Sequence, residues 1–301
     1  MEQIAAIIVS YKPVLPQLAR SIAALRPQVA EIIVVNNGNE PRFVPEEAGI
    51  HFLSLGENRG IAKAQNEGIE LAEQLNASHV LLMDQDSIAD DGMVVCLLAA
   101  LKDKPDAACV GPRYMDDQHG LDITPFVRLS GILSKRIHSS PDDPVVEVDQ
   151  LIASGSLIPM DIFQRVGKMR EDLFIDYVDI EWCFRARNLG YRCYGVHDAV
   201  MRHSLGNRAI VLLGLVFTIH GPIRYYYRYR NAILLFREKW IRSSWKVACF
   251  IYISTKVLVG ALLVKERFQN LKMIFRGVVD GLKGASGKIP ERQDSNINFV
   301  S

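Results

Sequence analysis

The 301-residue chain is 49% hydrophobic and 23% charged with a formal net charge of +1, the composition of a folded protein long enough for one large domain or one domain and an appendage. Its five cysteines are scattered with no CxxC pair, which gives no support for a zinc site or a disulfide framework and suits a reducing compartment. The near-neutral total hides a division: residues 1–201 carry 18 Lys and Arg against 29 Asp and Glu, whereas residues 202–301 carry 17 against 5, a basic and apolar rear that favours an anionic membrane over nucleic acid.

From the N-terminus, short β-rich runs alternate with helical patterns. The first run has no basic flank or cleavage site, so a strand rather than a signal peptide is expected there. Residues 4–9, 31–35, 50–55, 79–83 and 107–111 read as strands, with helices at 13–25 and 61–75. In the second helix Ala64, Gly68, Ala72 and Leu75 share one face. This alternation predicts an α/β fold with a Rossmann-like, mostly parallel sheet covered on both faces. Ligands bind such sheets beyond the carboxyl ends of the strands. The polar strand ends SYKP, NNGN, GENRG and DQDS are therefore expected around one crevice.

From about Arg113 to Pro144 the pattern loosens into expected loops over that crevice. Residues 145–159 return to strand character, and Asp161 is expected to cap a short helix. A further helix is expected from about Ile180 to Leu189, closed by Gly190 and followed by two short strands.

Beyond Gly206 the character changes. Residues 209–219 are apolar but too few to span a bilayer, and residues 224–231 interleave Arg with Tyr. The run 247–264 leans apolar but contains Lys256, which at mid-bilayer costs on the order of 2.5–3.5 kcal/mol. Phe268, Leu271, Phe275, Val278 and Leu282 recur at helical spacing with Lys272, Arg276 and Lys283 between them, the pattern of an interfacial helix. A domain of residues 1–206 is thus expected, then a helical membrane-associating region at 207–284 and a flexible polar tail at 285–301.

The first chemical signal is Asp84-Gln85-Asp86 at the end of the apolar run Val80 to Met83. Residues two apart in an extended stretch point to one side. The two carboxylates either converge on one hard divalent cation, Mg2+ or Mn2+, or sit in a solvated turn. Their place after a buried strand favours the cation.

The segments AAIIVSYKP, IIVVNNGN, NRGIAKAQNEG, LLMDQDS and DYVDIEWCFRARNLGY resemble, in order and spacing, those of family-2 glycosyltransferases over residues 4–204. With RYYYRYRNAILL the chain looks most like the bacterial rhamnosyltransferase branch, which builds cell-surface polysaccharides. The resemblance implies the A-type glycosyltransferase fold and an inverting reaction. It implies a nucleotide-sugar donor (dTDP-rhamnose or a UDP-sugar), a lipid-linked saccharide acceptor, Mg2+ or Mn2+, and work at the cytoplasmic face of the inner membrane.

Carried onto this chain, the resemblance puts Asp84, Asp86 and His203 on the metal and makes Asp179 the base that takes the acceptor's proton. Ser10, Tyr11 and Asn36 fall at the nucleobase, and Asn58, Arg59, Gly60, Asn66 and Asp84 at the ribose and diphosphate. Asn36 stands where an Asp is usual; its amide oxygen can accept the N3–H of uracil or thymine without charge assistance. Gly155, Ser156, Glu181 and Trp182 fall on the acceptor side. Arg224, with Arg228 and Arg230, is a candidate contact for a lipid diphosphate.

Each assignment has a plainer counterpart. His203 reads also as a surface or capping histidine, and Trp182 and Tyr177 as core. The acids at 172–181 can dress a helix start for its dipole, the arginines a solvated helix face, and Gly60 and Gly68 a turn and a close helix–sheet contact. Two other functions compete. A nucleotidyltransferase would need a Gly-rich, basic N-terminal loop, which is absent, and a non-catalytic binding protein is supported only by Asn36.

Overall fold

The computed structural model describes residues 2–116, 121–123, 126–130, 133–203, 209–212, 215–218, 221–263 and 267–290. In chain order the first half comprises β1 (Ile4–Ser10), α1 (Leu15–Leu25), β2 (Glu31–Asn36), β3 (Ile50–Ser54), α2 (Ile61–Gln74), β4 (His79–Asp84), β5 (Ser87–Ala89), α3 (Met93–Asp103) and β6 (Ala107–Asp116). There follow β7 (Leu121–Ile123), β8 (Val127–Ser130), β9 (Leu133–Arg136), β10 (Val145–Val148), β11 (Leu157–Pro159), α4 (Met160–Val166), a 3-10 turn (Glu171–Leu173), α5 (Val178–Asn188) and β12 (Arg192–His203). The rear holds β13 (Ala209–Leu212), β14 (Leu215–Thr218), α6 (Pro222–Phe236), α7 (Ser243–Leu263) and α8 (Arg267–Lys283).

β1 is apolar on both faces, as a central strand must be. It pairs in parallel with β2 on one side and β4 on the other, and β3 extends that half in parallel. The other half is mixed. β11 enters from the loop at 149–156, with no crossover helix to turn it parallel, and lies antiparallel between β4 and β6. β12 runs parallel to β6, while β5, β7 and β10 join antiparallel. The order is β10-β12-β6-β11-β4-β1-β2-β3, so the expected mostly parallel sheet is corrected to a mixed one.

Alternation along the strands sorts side chains into two cores. Ile4, Ala6, Ile8, Ile32, Val34, Leu81 and Met83 meet α1 and α3. Ala5, Ile7, Ile33, Val35, Val80 and Leu82 meet α2. Gly68 is needed there: a Cβ would stand 2.5 Å from Ile7 Cγ2.

The rear is not an appendage. Tyr225, Tyr229, Ala232 and Leu235 of α6 and Trp245, Cys249 and Ile253 of α7 share one core with Trp182 and Phe184 of α5. α8 lies against α6 so closely that a Cβ on Gly277 would stand 2.4 Å from the carbonyl oxygen of Tyr226. Its outward face keeps Phe268, Phe275 and Leu282 exposed.

Two expectations change. Residues 209–218 include the β13–β14 hairpin rather than helix, in keeping with the strand preference of Ile210, Val211, Val216 and Phe217. Part of the expected flexible tail packs back: the Gly287 N–H donates to the carbonyl of Asp172 at 2.6 Å, and the Ile289 N–H donates to the Tyr227 hydroxyl at 2.9 Å. Residues 291–301 lie outside the described residues. Among the described residues no helix is long and apolar enough to cross a membrane.

Candidate active site

The parallel strands end in step. Ser10 pairs with Asn36, Asn36 with Ser54, and Val9 with Asp84, so the polar tips share one edge. Ser10 is fully buried and donates weakly to the carbonyl of Val35 at 3.4 Å. Gln85 binds the backbone of Tyr11 twice: its Oε1 accepts the Tyr11 N–H at 2.9 Å, and its Nε2 donates to the Tyr11 carbonyl at 3.2 Å. Asn36 is fully buried; its Nδ2 donates to the Glu40 carbonyl at 2.8 Å, while its Oδ1 has no hydrogen-bond partner among the described residues.

The NNGN and NRG loops are stitched together. Asn37 Oδ1 accepts the Arg59 N–H at 2.8 Å, and Asn58 Oδ1 accepts the Gly60 N–H at 3.0 Å and the Asn37 amide at 3.3 Å. Gly60 takes φ 90°, and a Cβ on it would stand 2.7 Å from the Phe174 carbonyl oxygen. The backbone must pass that close because the Ile61 N–H donates to the same oxygen at 2.8 Å. The exposed Arg59 lines a cleft of about 230 Å3 with Glu57, Lys63, Glu171 and Lys288.

At the opposite side α5 opens on Tyr177, which holds a left-handed conformation. Asp179 Oδ1 accepts the Ile180 N–H at 2.9 Å and its Oδ2 accepts the Ala153 N–H at 3.3 Å. Burial pushes the Asp179 carboxyl up from its ordinary value, the charge of Asp176 adds to this, and the backbone N–H groups partly oppose it. Asp176 is paired with Arg224 at 3.3 Å and Arg228 at 3.7 Å.

One dipeptide joins the two sides. While Ala153 touches Asp179, the buried Ser154 Oγ accepts the Asp84 N–H at 3.0 Å and donates to Ser87 Oγ at 2.9 Å. Ser154 therefore braces both flanks of Asp84-Gln85-Asp86 from below. Asp84 and Asp86 are both partly exposed. His203 ends β12 with its backbone in register with Ser87, and its side chain lies outside the described residues.

Several residues expected at ligands are engaged in internal contacts. Asn66 is buried, accepts the Met169 N–H at 2.9 Å and donates to the Met169 carbonyl and Glu171, so its amide is used in pinning α2 to the loop before α5. Glu181 is fully buried in a two-pronged pair with Arg185 at 2.9 and 3.0 Å. Trp182 is also buried, donating its indole N–H to the Gly167 carbonyl at 2.8 Å. Gly155, at φ 82°, is packed against Pro112, where a Cβ would stand 2.4 Å from Cγ. Ser156 turns its hydroxyl inward to the Ile152 carbonyl at 2.6 Å. These last four are all buried. Arg224 stays half exposed beside Asp176, but Arg230 is fully buried.

Gln85, Asn37 and Ser154 were missed in the sequence because all three act through backbone groups distant in the chain. Also missed was the meeting of Cys109, Cys183 and Cys193, whose sulfurs lie within 4.8 Å of one another in the core. Their mutual hydrogen bonds raise some and lower others, and with burial the net direction for all three is well above the usual thiol range.

The profile of the family "Glycosyl transferase family 2" matches residues 6–146. Over 289 residues the chain is 33% identical to a dTDP-rhamnosyl transferase, RfbF, of Shigella flexneri, covering 94% of this chain and 96% of that protein. In three dimensions it resembles GalNAc-T7 solved with UDP, GalNAc and Mn2+ (TM-score 0.60, 13% identity, 94% of this chain and 56% of that one). It also resembles S. aureus TarS 1-349 in complex with UDP-GlcNAc (TM-score 0.59, 12% identity, 93% of this chain and 81% of that one). Both likenesses are to A-type glycosyltransferase folds.

Proposed function

The chain belongs to glycosyl transferase family 2 and is a glycosyltransferase, and from that premise we propose that it moves L-rhamnose from dTDP-rhamnose, with inversion, to a lipid-linked saccharide in cell-surface polysaccharide synthesis. The observation that carries the reading is the turn at 153–154, which holds Asp179 and the strand tip bearing Asp84 and Asp86 at one site. An inverting transfer needs those two ingredients together: a base for the acceptor hydroxyl and a means of meeting the leaving diphosphate. The identity to a dTDP-rhamnosyl transferase supports the donor. Family membership sets aside the synthesis of nucleotide sugars.

Donor binding is assigned to the strand edge. Asn36 Oδ1, a buried acceptor lacking a partner, is the kind of group a thymine N3–H satisfies. Tyr11, held by Gln85, borders the base, and Asn58 shapes the loop that presents Arg59 to the phosphates. The donor chemistry of the acid pair also fits a hard cation: two partly exposed carboxylates two residues apart, with β12 delivering the backbone of His203 opposite Ser87. Asp84, Asp86 and His203 would hold Mg2+ or Mn2+, which when bound neutralises charge on the diphosphate.

The protein's own part in the chemistry falls to Asp179. Its raised pKa makes it a stronger proton acceptor than a solvated carboxylate, and the Ala153 and Ile180 N–H groups orient it. Arg224, at the mouth beside Asp176, is the acceptor-side contact we retain. The exposed Phe250, Ile251, Phe268 and Phe275, with Arg267 and Lys272 among them, support attachment of the rear to an anionic bilayer at the cytoplasmic face of the inner membrane.

The test is release of nucleotide from a panel of nucleotide sugars with membrane lipid extract as acceptor, run with Mg2+, with Mn2+ and after thorough chelation. The reading expects dTDP release from dTDP-rhamnose that needs a divalent ion. Preference for another donor would overturn the rhamnose assignment, and full activity after chelation would overturn the metal.

A further inference from the structure

We propose that Arg230 and Asn231, neighbours in α6, are positioning residues for the transfer: they hold the turn at 173–177 in the backbone conformation that aims Asp179. The proposal rests on the reading of Asp179 as the base.

The turn is unusual before any partner is considered. Phe174, Asp176 and Tyr177 all have positive φ, at 66°, 64° and 66°. Residues with a Cβ enter that region at a cost and stay only where surrounding structure fixes them. Tyr177, the residue that opens α5, makes no side-chain capping bond. Asp179 follows two residues later, so the turn sets the direction in which α5, and with it the carboxylate, begins.

The carbonyls of this turn are satisfied by α6. Asn231 Nδ2 shares its two hydrogens among the carbonyls of Leu173 at 2.8 Å, Ile175 at 2.7 Å and Asp176 at 3.0 Å. Arg230 Nη2 donates to Leu173 at 3.0 Å and to Asp172 at 3.3 Å. The two also fix each other: Arg230 Nε donates to Asn231 Oδ1 at 3.0 Å, which turns the amide so that its NH2 faces the turn. Both side chains are fully buried, and the rings of Tyr226 and Tyr227 flank the guanidinium at 5.5 and 4.9 Å.

Such burial removes Arg230 from any role in meeting a lipid diphosphate. It also needs a reason, because a guanidinium taken from water is costly unless its donors are used. Here they are used on main-chain carbonyls flanking the base, and Arg230 Nη1 adds the Gly287 carbonyl, drawing in the C-terminal segment. The RYRN tail of the Arg–Tyr motif thus acts from behind the site, through the turn.

The full chain carrying Asn231→Ala tests this, with dTDP release from dTDP-rhamnose over membrane lipid extract as the assay. Displacing a catalytic group by about 1 Å costs on the order of 100-fold, so kcat should fall by about that factor while donor KM stays within about twofold. Amide exchange at 173–178 should quicken. Leu235→Ala, buried on the same helix, serves as control and should lower Tm without that loss of kcat. If Asn231→Ala fails to fold, Arg230→Lys, which keeps the charge and loses the fork, takes its place. Unchanged kcat, or a loss no larger than the control's at matched Tm, would overturn the proposal. Asp179→Asn separates the two ideas: inactive Asp179→Asn beside active Asn231→Ala sinks the clamp alone, and active Asp179→Asn sinks the base.

Discussion

Gln85 grips Tyr11 by both of its main-chain groups, at 2.9 and 3.2 Å, so the loop after β1 and the tip that bears the acid pair are fastened together. The middle residue of Asp84-Gln85-Asp86 is therefore a brace on the proposed donor side. Losing two such bonds at about 0.5–1.5 kcal/mol each should raise donor KM for Gln85→Ala roughly tenfold with a smaller change in kcat. Steady-state kinetics against donor concentration decide it; a change confined to kcat would contradict the assignment.

Asp179 makes a pH prediction with a definite sign. Burial raises its folded-state pKa, so the base becomes competent only as pH rises through that raised value. The acidic limb of kcat/KM should lie above the ordinary carboxylate value of about 3.9. A raised carboxyl also binds its proton more tightly folded than unfolded. Its contribution to stability is thus present below the unfolded pKa and lost as pH climbs through the folded one. Asp179→Asn should abolish the limb and lower turnover by on the order of 100- to 10,000-fold. Its Tm at pH 8 should be no lower than that of the unaltered chain.

Gly277 predicts an effect against helix propensity. Alanine is worth about 1 kcal/mol over glycine in a helix interior, which alone would stabilise Gly277→Ala. The new methyl would meet the Tyr226 carbonyl at 2.4 Å, and that carbonyl belongs to the backbone of α6. Overpacking of this kind costs typically 1–3 kcal/mol, so a net loss is expected and thermal unfolding measures it.

The outward face of α8 should govern attachment to lipid. Burying a phenylalanine side chain is worth about 1.5–3 kcal/mol, so Phe268→Ser with Phe275→Ser should weaken sedimentation with anionic vesicles by more than about tenfold. Binding should also fall with salt, since basic residues line that face. Equal binding by the double variant would place the lipid contact elsewhere.

The first half of the fold was open to reading because β1 to β4 and the two early helices announce themselves by periodicity and local breaks. The mixed half was not: β11 is three residues long, and its direction depends on a neighbour far away in sequence. The same division runs through the site. Asp84, Asp86 and Asp179 are proposed from motifs, where the chemistry restricts what can stand. Asn66, Glu181 and Trp182 sit within the same motifs and make buried internal bonds, which motif membership does not announce. Ser154 and Asn231 work on main-chain groups remote in the chain, a task that leaves no local pattern.

Because Ala153 and Ser154 are consecutive, Asp179 and the backbone of Asp84 are tied to neighbouring residues of one turn. With the roles proposed above, an insertion in that turn would shift base and acid pair together.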